Sequence, residues 1–305
     1  MRAEVLDPAI EQQIDAFAAT THPVRGLFGP ESVSWHVFRE NAVLLGGARA
    51  LLLQLAHPVV ATAVAAHSQY DTDPAGRILR TFDTMYTIVF GDRESALAAA
   101  RRMRLRHVPV RGRLPSGGEY HADNPAYLLW VMATLLDAGL DCYERVVGPL
   151  PEAVREAFWT EYRPRFIVFG LPPESTPPTW RAFSDYVRET LEGPSLVVTP
   201  HARRILDALL AQAPSMHLAG MLGLESPRAF SPLDHRPLRI LYQEFVRLFA
   251  AGMLPPRLRA GYGLTFDAAQ ERRLSFLLST LRRVTPRLPA RVRYSRFYRE
   301  ALARV

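Results

Sequence analysis

Hydrophobic positions recur along most of this chain at spacings of three and four, and no run alternates over the length of a strand. The pattern predicts helices over residues 8–17, 31–41, 94–107, 126–147, 151–169, 181–191, 197–210, 237–251 and 268–284. Asp73 followed by Pro74 reads as a cap with proline at the first helical position, so a further helix runs from there towards Phe90. Val108, Pro109 and Gly112 are stop signals after His107. Between the helices, residues 170–180 form a proline-rich connector. Residues 213–233, broken by Pro214, Gly220, Gly223, Pro227 and Pro232, read as a candidate lid.

One segment departs from this amphipathic pattern. Residues 42–66, AVLLGGARALLLQLAHPVVATAVAA, are apolar for long enough to raise the question of a membrane span. Arg49 and Gln54 within it, the break at Pro58 and the pair Gly46 and Gly47 argue against one, because polar groups at a bilayer centre are costly and proline interrupts the helix. The favoured reading is a buried central helix; docking on a membrane through 42–66 is the alternative. The fold class expected is therefore all-α, a single multi-helix domain of about ten helices around a central bundle.

Composition changes this picture little. A chain of 305 residues, 48% of them hydrophobic, has ample material for a core. The net charge of +7 comes from arginine alone, since there is no lysine, and the arginines are interspersed with Asp and Glu. A nucleic-acid role is not favoured on that distribution. Cys142 is the single cysteine, which excludes an internal disulfide and any multi-cysteine metal site. The first residues lack the basic start and apolar run of a signal peptide, so a cytoplasmic location is the default expectation.

The candidate chemistry gathers between residues 76 and 112. Arg77, Arg80 and Thr81 stand three and four apart and share one helix face. That face points either to solvent or into a pocket. His107 ends the next helix. In one reading its cation is stabilised by the helix dipole; in the other it is neutral, with one nitrogen on iron and the other held by a carbonyl or water. His57, before Pro58, lies at a kink or helix end, and His67 begins a polar loop. Neither belongs to a metal-ligand spacing motif. Trp130 reads as core, and His121 as an exposed or rim group.

The order LLLQLAHPVVA, DPAGRILRT, FGD, RLRHVPVRG and GGEYHADNPAYLLWV resembles the family of MpaB-type oxygenases and bacterial rubber oxygenases. The resemblance covers residues 28–193 and returns in MLPPRLRAGYGLTFDAAQERRL and LPARVRYSRFYREAL. It implies a globin-like core, with an N-terminal extension over 1–27, a catalytic domain over 28–255 and a C-terminal segment over 256–305 packed on the same core. It further implies a b-type haem and oxygen-dependent chemistry on a small or medium apolar substrate. His107 stands at the proximal ligand position, and Arg77, Arg80 and Thr81 stand on the distal helix, with both arginines as candidate cofactor contacts.

Two departures from the family pattern carry chemical consequences. Where the family has a lysine that can ligate iron, this chain has Arg80, whose guanidinium offers no lone pair and acts only as a donor to oxygen or a propionate. Where rubber oxygenases place a glutamate base, HPVVATAVAAHSQY holds no carboxylate, which leaves His57 or His67 as the base and makes polyisoprene cleavage an unexpected activity. Two alternatives stay open beside the haem enzyme. One is a haem-free member that binds an apolar ligand or holds a metal through His57, His107 and a carboxylate; the other is the membrane-docking protein.

Overall fold

A computed structural model describes residues 6–68, 74–115, 117–211, 214–215, 231–232 and 234–305, with the side chains of 74, 75, 77 and 78 outside that description. The candidate lid over 213–233 lies almost wholly outside the described residues, and so does Asp73. The architecture is all-α. In chain order the helices are α1 (Pro8–Ala19), α2 (Val33–Phe38), α3 (Gly47–Ala56), α4 (Pro58–His67), α5 (Pro74–Phe90), α6 (Arg93–His107), α7 (Pro125–Val146), α8 (Glu152–Arg165), α9 (Trp180–Glu192), α10 (Pro200–Ala211), α11 (Arg236–Met253), α12 (Pro256–Gly261), α13 (Ala268–Val284), α14 (Ala290–Arg293) and α15 (Arg296–Arg304). These outnumber the ten expected, because several turns too short for a periodic pattern are helical.

Two expectations are corrected. A short antiparallel hairpin, β1 (Arg111–Arg113) with β2 (Glu119–His121), follows α6, pairing Gly112 with Tyr120. Three residues per strand are too few for alternation to show in sequence. The apolar segment 42–66 breaks at Pro58 as its sequence predicts, but it forms two helices and not a single central one. It is a 3-10 turn (Asn41–Gly46) running into α3, then a 101° bend at His57, then α4. His57 adopts an extended ψ of 116°, as the residue before a proline prefers. Among the described residues no single helix is long and apolar enough to cross a membrane.

The spine is α7, whose 22 residues begin at an Asn124 cap and include twelve that are buried. The 3-10 turn and α3 lie along it with almost no gap. A Cβ on Gly46 would stand 2.4 Å from the Ala138 carbonyl oxygen, so only glycine permits this approach. Arg49, the charge inside the apolar run, is buried in the same interface. Its guanidinium pairs with Asp137 and lies 3.9 Å from Asp141 on α7, while Nε donates to the Met253 carbonyl at 2.9 Å, tying α3 to α7 and α11. A buried charge with that many partners is a tertiary staple.

The largest core cluster joins α6, α7, α8 and α9 around Phe158, Trp159, Tyr162, Phe166 and Phe183. A second joins α3, α10, α11 and α12 and includes Trp130, which donates to the Leu53 carbonyl at 3.2 Å. Trp130 is core, as expected. A third cluster joins Trp35, Tyr86, Val89, Phe90 and Ala301, with Trp35 donating to the Val89 carbonyl at 2.8 Å. It fastens α15 and α2 to α5 and so fixes the helix on which the arginines stand.

Candidate functional site

α5 and α6 form an antiparallel hairpin. Gly91 turns the chain where a Cβ would meet the Thr87 carbonyl oxygen at 2.4 Å, and Asp92 starts α6 by accepting from the Ser95 amide at 2.7 Å. That hydrogen bond, foremost among its partners, lowers the Asp92 carboxyl pKa. The two helices pack along their length, with Ile88 of α5 in one cluster with Ala96, Ala99 and Ala100 of α6. The small α6 side chains let the backbones come close. The first turn of α5, where Arg77 stands, and the last turn of α6, which ends at His107, therefore lie at the same end of the hairpin.

At that end His107 is partly buried, and its Nδ1 lies 2.8 Å from the Met103 carbonyl oxygen. A carbonyl oxygen only accepts, so Nδ1 carries the proton, and in the neutral ring the lone pair belongs to Nε2. Arg80 and Thr81 are on α5 and exposed; the side chain of Arg77 lies outside the described residues. Arg104, in the last turn of α6, is buried and pairs with Glu11 of α1, so it is structural.

The two candidate bases separate. His67 ends α4, and its Nε2 is 3.2 Å from the hydroxyl of Tyr120, which packs over Gly112. This contact ties the end of α4 to the hairpin that follows His107. His57 precedes α4, ten residues and roughly 15 Å of helix away. Its ring packs against Tyr127 of α7 at 5.4 Å, and its buried Nδ1 has no hydrogen-bond partner among the described residues. Burial lowers the His57 pKa, which keeps the imidazole neutral at pH 7. His121 is exposed on β2. Among the described residues no group of three or more His, Cys, Asp or Glu side chains is placed to hold a metal, so the set of His57, His107 and a carboxylate does not assemble there.

The opposite face of α5 is apolar. Phe82, Met85, Tyr86 and Val89, at spacings of three and four, line a cavity of about 50 Å³ bordered by the Gly46–Gly47 pair, by α7 and by Tyr162 of α8. Sequence reading takes Tyr162 only as a packing residue of its helix and does not single out Tyr86. Nothing in their spacing sets them apart from core aromatics. Met103, which orients His107, was legible as the residue one helical turn before it.

An all-α protein with a partly buried, backbone-oriented histidine at the end of a helix hairpin is the class these features define. The chain belongs to the family of the catalytic domain of ER-bound oxygenase mpaB/B′ and rubber oxygenase, which its residues 35–284 match. Membership makes it an oxidoreductase of the oxygenase type, working with O2 on an organic substrate. It is 30% identical over 213 residues to the uncharacterized proteins Mb2261 of Mycobacterium bovis and Rv2237 of Mycobacterium tuberculosis, a match covering 70% of this chain and 75% of each relative. No solved structure is a significant match.

Proposed function

We propose that this oxygenase is haem-dependent and acts on a small or medium apolar substrate, with His107 as the residue that would hold the iron. The observation that carries the reading is the bond from His107 Nδ1 to the Met103 carbonyl, which fixes the tautomer a metal-bound imidazole needs. A porphyrin brings four nitrogens of its own. A single histidine would therefore suffice to hold it. When bound, haem would supply the activation of O2 that no amino-acid side chain provides.

The chain's own part is donation, positioning and proton transfer. Arg80 and Arg77, on the helix opposite His107, serve as cationic donors to a propionate or to an oxygen atom of the reactants, and Thr81 is a neutral donor beside them. Arg80 has no lone pair to offer, so it would act as a donor and not as a ligand to iron. His57, held neutral by burial, is the base this reading assigns in place of the family glutamate.

An absorption spectrum of the haem-reconstituted chain beside His107→Ala tests the proposal. A Soret band in the wild type that is lost or displaced in the variant is the expected result. A wild type that binds no haem, or a variant with an unchanged ligand spectrum, overturns it.

A further inference from the structure

The cavity behind α5 contains a polar feature its apolar lining does not explain. Tyr86 and Tyr162, on α5 and α8, both line it. Both hydroxyl oxygens are buried, and neither has a hydrogen-bond partner among the described residues. Buried hydroxyls are nearly always paired, because leaving one unpaired forfeits its hydration with no return. Two such groups on one cavity mark a place built to hold an oxygen atom. Burial raises the pKa of both phenols, so each is present as a neutral donor.

The rest of the lining sets the size and polarity of the guest. A cavity of 150 Å³ accepts benzene, so one of about 50 Å³ accepts about two or three non-hydrogen atoms. Gly46, Gly47, Ala50, Ala138 and Gly139 give room without adding polar atoms, which excludes an ion. Phe82 borders the cavity over Gly47, where a Cβ would lie 2.6 Å from the ring tip. We propose that this cavity is a binding site for a small neutral oxygen compound of the alcohol or aldehyde type, whose oxygen accepts from Tyr86 and Tyr162 while its carbons contact the α3 and α7 glycines and alanines. The site lies on the side of α5 away from Ile88 and the α6 interface. It is therefore distinct from the His107 end of the hairpin and does not rest on the haem proposal.

Ethanol, with three non-hydrogen atoms, is the probe. In full-length protein labelled with 13Cζ-tyrosine, and assigned with the single Tyr→Phe variants, ethanol should shift the Tyr86 and Tyr162 resonances saturably. The Kd should be no tighter than about 1 mM, the ceiling for so small a ligand. Tyr86→Phe with Tyr162→Phe keeps the cavity walls and should weaken binding at least tenfold, read on the methyl signals of Met85. Xenon, similar in bulk and wholly apolar, should bind wild type and double variant alike. The proposal fails if xenon binds and ethanol does not, if the double variant binds ethanol as the wild type does, or if neither probe enters. An unfolding midpoint in the double variant at or above that of the wild type shows that lost binding is not lost fold.

Discussion

The two long faces of α5 are built on opposite terms. Towards α3 and α7 it presents Phe82, Met85, Tyr86 and Val89 to a tightly packed interior, where glycines rather than side chains set the spacing. At its other face and first turns it presents Arg80 and Thr81 in the open, at the end of the hairpin that carries His107. One helix thus holds a stability element and a candidate reactive surface on different faces. Burial on the first face anchors the helix, so its packing does not depend on the second.

That contrast predicts large losses of stability on the packed face and small ones on the other. Phe90→Ala, which empties the Trp35 and Tyr86 cluster, should lower unfolding free energy by about 3–5 kcal/mol in urea titrations. The iron-ligand spectrum of whatever remains folded should not change. Gly46→Ala should cost about 1–3 kcal/mol, because its Cβ would meet backbone that cannot rotate away. A smaller loss would show that α3 and α7 slide apart easily and that the interface is less rigid than its spacing implies.

The remaining predictions sharpen the contrast. His57 has a folded pKa below its ordinary 6.5, so the unfolded chain takes up a proton first as pH falls through that value. Stability contributed by neutral His57 is full above pH 6.5 and declines below it. The urea midpoint should drop between pH 7.5 and 5.5, and less steeply in His57→Gln. His36, also lowered by burial, accounts for part of the slope that persists. Tyr162→Phe should leave stability unchanged or raise it by about 1 kcal/mol in thermal unfolding without added ligand, since it removes an unpaired buried hydroxyl. A marked loss would mean the hydroxyl has a bonded partner. Arg80→Gln should alter stability by less than about 0.5 kcal/mol, yet shift the C–O stretch of carbon-monoxide-treated haem protein. An unmoved stretch would take Arg80 out of the site.

Much of the helical inventory was legible. α13 occupies the predicted 268–284, and α5 and α6 end at Phe90 and His107 as the caps and stop signals require. These features are local: a cap, a proline or a glycine acts on the next turn of its own chain. The shared face of Arg80 and Thr81 followed from helical spacing alone. The family was legible too, because its motifs are ordered along the chain.

What tertiary structure decided is where those faces point. Sequence showed an apolar run at 42–66 with a break at Pro58, and only packing showed that α7, not this run, is the spine. It showed Arg49 as an oddity, and only the fold supplied Asp137 and the Met253 carbonyl from residues far along the chain. It gave no reason to single out Tyr86 and Tyr162, since an unpaired hydroxyl is defined by what surrounds it and not by its neighbours in sequence. Local conformation depends on interactions within a few residues and is written in order. Burial, pairing and cavities depend on which distant segments meet, and α5 acquires its two characters only when α3, α6 and α7 close around it.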